Sequence, residues 1–159
     1  MRHLVGFLML FCTSFAHAAP DSIYLFRHSE KEKGNNPHLT EAGKHRADQL
    51  SSLIENNKPV ALFSTNYNRT IETANALARD LGVEVQVYNP RDLAQFSEQV
   101  LTMNGTIIIV GHSNTSVELA ALFSELKVDK MHESEFSRYF LLQRTGQNFH
   151  LSDLKMNFD

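Results

Sequence analysis

The chain has 159 residues, 42% hydrophobic and 21% charged. That is enough for one globular domain, not two, and such a domain needs no disulfide or structural metal to hold its core. The formal net charge is −3 and no run of Lys or Arg could follow a phosphate backbone, which excludes nucleic acid as the main partner. In chain order, the first nineteen residues stand apart. Arg2 gives a positive start, Leu4 to Phe15 are almost wholly apolar, and Ala16-His17-Ala18 places small residues where a signal peptidase reads. The stretch is too short to span ~30 Å of hydrocarbon. It predicts a signal peptide over 1–18, cleaved to leave a single domain over 19–159 that is periplasmic or secreted and is not inserted in the membrane. The only cysteine, Cys12, falls inside that signal, preceded by Leu10 and Phe11 rather than the small residues that lipidation favours. The mature chain therefore has no thiolate nucleophile and no disulfide.

Ser22 to Phe26 reads as a buried strand that ends in the polar loop from Arg27 to Pro37. Thr40 is a good N-cap for a helix that Asn56 to Pro59 would end. Val60 to Phe63 is the next strand, followed by a helix over 70–81 with Gly82 as its stop. Val83, Val85 and Val87 alternate with polar residues as in a half-exposed strand, and Asn89-Pro90 turns the chain into a helix over 92–103. Thr106 to Val110 is the most apolar β-branched run, so it belongs at the centre of a sheet. A helix over 115–126 comes next, and the chain ends in a hairpin of 137–142 and 148–154 turning at Thr145 to Gln147. Alternating strands and helices imply an α/β domain with a mainly parallel sheet.

In such folds sites lie beyond the carboxyl ends of the strands. There the pattern delivers Arg27 and His28, then Ser64 to Arg69, then His112. Two arginines and two histidines suit phosphoryl chemistry. A guanidinium stays charged and offers a planar fork to phosphate oxygens, while a neutral imidazole is a nucleophile near neutral pH. Taken singly, each residue also has an ordinary reading as a loop or helix-start residue. His38, His45, His132 and His150 are read as solvated or structural. A P-loop is excluded because no Gly-rich loop ends in Lys and Ser or Thr, and no cluster of His and carboxylates suggests a metal.

Arg27-His28-Ser29-Glu30-Lys31, Leu39-Thr40-Glu41-Ala42-Gly43, the segment from Ser64 to Ala74, and Gly111-His112-Ser113 together resemble, in order, the blocks of the histidine phosphatase (phosphoglycerate mutase-like) superfamily. The resemblance implies a three-layer α/β/α sandwich of that fold, in a chain about the size of the small phosphohistidine phosphatases. It also implies a metal- and cofactor-independent phosphatase acting on a small phosphorylated substrate. His28 would be the phosphorylated nucleophile, with Arg27, Arg69 and His112 forming the phosphate pocket. Ser29 departs from the small Gly or Ala of the pattern, and Ser113 replaces the Asp of the phytase-like branch, so the general acid is not given. Between Arg69 and His112 the carboxylates are Glu72, Asp80, Glu84, Asp92 and Glu98. Asp92 is best placed to be catalytic, with Glu98 next; its other reading is a helix N-cap. The rival functional reading is a catalytically idle domain that binds anions in the same pocket. Specificity is expected from loops 31–38 and 127–136. The physiological substrate (an envelope or periplasmic sugar phosphate among the candidates) and the oligomeric state are not specified by the sequence.

Overall fold

A computed structural model describes residues 19–55 and 58–158; the predicted signal peptide and Cys12 lie outside them. The fold is a six-stranded sheet with helices on both faces. β1 (Pro20–Arg27), β2 (Ala61–Ser64), β3 (Val85–Val87) and β4 (Gly105–Gly111) are parallel, while β5 (Arg138–Thr145) and β6 (Asn148–Lys155) form the terminal hairpin. The strand order is β3-β2-β4-β1-β5-β6, with β5 antiparallel to β1. The β-branched run Thr106–Val110 is central, as its composition requires for a strand covered on both faces.

Strand alternation divides the core in two. Ile23, Leu25, Phe63, Ile107 and Ile109 pack against Phe96, Val100, Leu119 and Phe123 of α3 (Leu93–Leu101) and α4 (Ser113–Ser124). Tyr24, Phe26, Leu62, Ile108 and Val110 face the other way. They meet Leu50 and the Ala74 and Leu77 side chains of α2 (Asn68–Leu81). Since successive residues of a strand point to opposite faces, each central strand serves both cores. Among the described residues no helix is long and apolar enough to cross a membrane.

Several boundaries differ from the sequence expectation. The first helix, α1 (Glu41–Gln49), tightens into a 3-10 turn over Leu50–Leu53 instead of continuing. α2 and α4 begin two residues early, and α4 does so because His112 itself acts as N-cap. Its ring accepts from the Thr115 backbone while Thr115 Oγ1 accepts from the His112 backbone N–H at 2.8 Å. β3 is only three residues at the sheet edge. Val87, expected inside, is exposed, because the chain turns there to bury Tyr88, whose ring stacks on Phe96 at 4.2 Å. In the hairpin the strands reach Thr145 and restart at Asn148, so the turn narrows to Gly146-Gln147, with Gly146 at φ 67°.

α1 does more than cover the sheet. Its cap residue Thr40 donates its backbone N–H to the Glu30 carbonyl at 2.9 Å, and Gly43 lies directly against that carbonyl. A Cβ at 43 would fall well inside contact distance of the Glu30 backbone. Gly43→Ala should therefore force α1 away from the loop after β1 and cost about 1–3 kcal/mol, as overpacking does. Urea denaturation of the variant measures the loss; an unchanged midpoint would contradict this packing.

Candidate active site

The structure brings Arg27, His28, Arg69 and His112 to one cavity of about 380 Å³ at the carboxyl edge of β1, β2 and β4. Arg27 is the last residue of β1, His28 follows it, Arg69 sits in the first turn of α2, and His112 caps α4. Two helix N-termini thus open onto the cavity, adding the positive ends of their dipoles.

His28 forms the floor, with 3% of its surface exposed. Its backbone N–H donates to the Gly111 carbonyl at 2.9 Å, joining the ends of β1 and β4. Its Nδ1 lies 2.7 Å from the Ser29 carbonyl. A carbonyl only accepts, so Nδ1 carries the proton and Nε2 is left with the lone pair. Burial, with Arg27, His112 and Arg69 nearby, outweighs the Ser29 hydrogen bond and pushes His28 down to about 3. His112, whose ring centroid is 5.5 Å from that of His28, is pushed down to about 4 by burial and then by Arg69 and Arg27. Both rings are neutral at pH 7. His112 Nε2 is 2.9 Å from Thr65 Oγ1, and its Nδ1 is 3.4 Å from Arg69 Nη2.

The two guanidiniums are held differently. Arg27 donates Nη1 to the carbonyls of His132 at 3.0 Å and Glu135 at 3.3 Å, and Nη2 to the Glu133 carboxylate at 3.3 Å. Its plane also lies over the Phe136 ring, 4.2 Å from the centroid. Arg69 lies over Tyr67 at 4.8 Å. The Nε–H groups of both arginines are buried without a partner among the described residues, which suits donors intended for an anion.

The structure does not bring Asp92 to this cavity. Its carboxylate accepts from Gln95 N at 3.3 Å as the N-cap of α3, and it lines a separate cavity with Gln86, Tyr88 and Gln95. The cap reading is the one the geometry supports. Glu98 is exposed on α3 and does not line the cavity either. Glu72 accepts from Leu39 N at 2.8 Å and pairs with His38, and Asp80 is tied to Arg79 and Ser51. Residues that sequence reasoning did not single out do line the site. Lys31 and Tyr67 lie within the motif blocks but were given no role there, Arg91 comes from the turn before α3, and Glu133 comes from the loop before β5. Only the expectation that loops 31–38 and 127–136 border the site pointed toward two of them. Among the described residues no group of three or more His, Cys, Asp or Glu could hold a metal ion.

Residues 23–94 match the family model described as the histidine phosphatase superfamily (branch 1). Over that stretch the chain is similar to the superfamily. The match to this histidine phosphatase family covers Arg27, His28 and Arg69 and stops before His112, which the fold then adds to the site. The same fold is found in Bacillus stearothermophilus YhfR, at 16% identity and TM-score 0.66, over 85% of this chain and 96% of that one. It also occurs in a mycobacterial glucosyl-3-phosphoglycerate phosphatase, at 12% identity and TM-score 0.63, over 86% and 99%. That enzyme has been solved with inorganic phosphate as well. No curated protein matches the sequence.

The two neutral histidines make this site acid-sensitive in a defined direction. An unfolded histidine takes a proton near pH ~6.5, whereas His28 and His112 in the fold do not until about 3 and about 4. Between those values the unfolded chain binds more protons, so stability falls as pH drops. In phosphate-free buffer, the urea midpoint should decline from pH ~6.5 downward, and less steeply in a His28→Asn/His112→Asn double variant. Parallel declines in the two proteins would contradict the neutral-histidine site.

Proposed function

We propose that the chain is a phosphatase that hydrolyses phosphomonoesters through a phosphohistidine on His28. One observation carries the reading: a buried imidazole whose Nδ1 is tied to the Ser29 carbonyl, leaving the Nε2 lone pair for a cavity walled by Arg27, Arg69 and His112. Attack by Nε2 forms the N–P bond as the ester P–O bond breaks, and water then takes the phosphoryl group from the ring. The transferring group spreads its charge over three oxygens, and donors that are already in place stabilise it most effectively. Arg27 and Arg69 supply charge that a metal would otherwise bring, so the reaction is proposed to need none. Presence of the oriented ring and both guanidiniums favours a working enzyme over an idle anion-binding domain. The mycobacterial neighbour acts on a phosphorylated sugar derivative by its description, which makes sugar phosphates sensible first substrates.

Turnover of an aryl phosphate should survive a chelator. His28→Ala should abolish it, together with any acid-labile, base-stable phosphoprotein adduct. The bond from the residue 28 backbone to Gly111 remains in that variant, so circular dichroism should be unchanged. Hydrolysis that persists in His28→Ala would falsify the covalent mechanism.

Residues 1–18 are proposed to direct export, on their sequence alone. N-terminal sequencing of the exported protein should then read from Ala19, and a soluble form that retains Leu4 to Phe15 would remove that inference.

A further inference from the structure

The phosphatase reading leaves the leaving group without a proton donor, because Asp92 is occupied at the start of α3. We propose that Glu133 is the general acid, protonating the departing oxygen and then deprotonating the attacking water. The assignment rests on the phosphatase reading and concerns a residue outside every motif of the sequence.

Three observations place Glu133 there. First, its carboxylate is fixed over the cavity from two sides. Oε1 accepts from Ser113 Oγ at 2.9 Å, and Oε2 pairs with Arg27 Nη2 at 3.3 Å. Ser113 lies next to His112 and Arg27 next to His28, so both anchors belong to the phosphate pocket. Second, the side chain is 81% exposed, whereas the nucleophile is buried beneath it. Phosphoryl transfer is roughly in line, so a group attacked from the floor expels its leaving oxygen toward the mouth. Among the described residues Glu133 is the one carboxylate in the cavity lining, and it stands at the mouth. Third, Glu133 and its neighbours Ser113 and Asn114 also wall a second cavity of about 470 Å³, lined further on by Val117, Ala121 and Met131. A carboxyl between a phosphate pocket and an adjoining space can touch the bridging oxygen of an ester that occupies both.

The pairing with Arg27 also suits the sequence of events. A phosphoryl dianion competes for the same Nη2 donor, so substrate binding exchanges the Arg27 contact of the carboxylate for one between Arg27 and the phosphoryl group. In the first half-reaction the His28 Nε2–P bond forms and the P–O bond breaks. The electron pair stays on the leaving oxygen, which receives the Glu133 proton. In the second half, Glu133 takes a proton from water as the water oxygen bonds to phosphorus. The N–P bond then breaks, returning its electron pair to Nε2.

The test compares wild type and Glu133→Gln on a series of aryl phosphates from phenyl to dinitrophenyl phosphate. It uses kcat/KM, which reports the phosphorylation step alone. General acid help is worth about 10²–10⁴-fold where the leaving group is basic, and little where it is acidic. The expected result is a loss of about a hundredfold on phenyl phosphate, with dinitrophenyl phosphate staying close to wild type. The variant should also show a burst of dinitrophenol and accumulate phosphohistidine, since the second step has lost its base. An equal loss across the series makes Glu133 a binding or positioning group and overturns the proposal. A gain in activity makes it a plug over Arg27 and overturns it too. Wild-type protein inactive on every ester removes the phosphatase reading, and the acid with it.

Discussion

The hydrogen bond from His28 Nδ1 to the Ser29 carbonyl is useful only if that carbonyl cannot turn away. The acceptor belongs to the next residue of a loop, so the ring's tautomer depends on holding three consecutive residues still. A different element holds each. The sheet holds His28 through the Gly111 carbonyl. α2 holds Ser29, whose N–H donates to Thr73 Oγ1 at 3.1 Å. α1 holds Glu30 twice: Thr40 N donates to its carbonyl, and Arg46 grips its carboxylate with bonds of 2.7 and 2.9 Å. A change in any of these layers reaches the nucleophile through one peptide.

Concentrating cations in a buried pocket has a cost that the surrounding groups partly offset. Arg27 and Arg69 stack on Phe136 and Tyr67, whose ring faces replace some lost hydration. Burial works against protonation of the imidazoles and the same positive field adds to it, so the feature that attracts a dianion also helps to keep the nucleophile's lone pair free.

Much of this was legible in the sequence, for reasons that are local. A sheet covered on both faces writes itself as β-branched runs such as Thr106–Val110, and residues that follow such runs directly, His28 and His112 among them, must share one edge. What was hidden is equally specific. Asp92 carries a chemistry that fits a cap and an acid alike, and only its contact with Gln95 separates them. His112 does not look like a helix cap, because histidine is not among the preferred capping residues. Glu133 and Phe136 reach the site only because β5 lies antiparallel beside β1, a long-range pairing without a local signal. Val87 followed the alternation but not its burial, because Tyr88 won the competition for the core.

The antiparallel course of β5 has a consequence for how the protein can change. The parallel strands present their exits at the reactive edge, whereas β5 presents its entrance, so the segment between α4 and β5 can lengthen or shorten there without shifting any ladder. Along that segment Arg27 is gripped by the carbonyls of His132 and Glu135, groups that every amino acid possesses. These two bonds read the path of the main chain, whatever side chains the Glu133 and Phe136 contacts add to them. Evolution can therefore rewrite the rim of this pocket, and with it the choice of molecule admitted, while the arginine beneath stays in register.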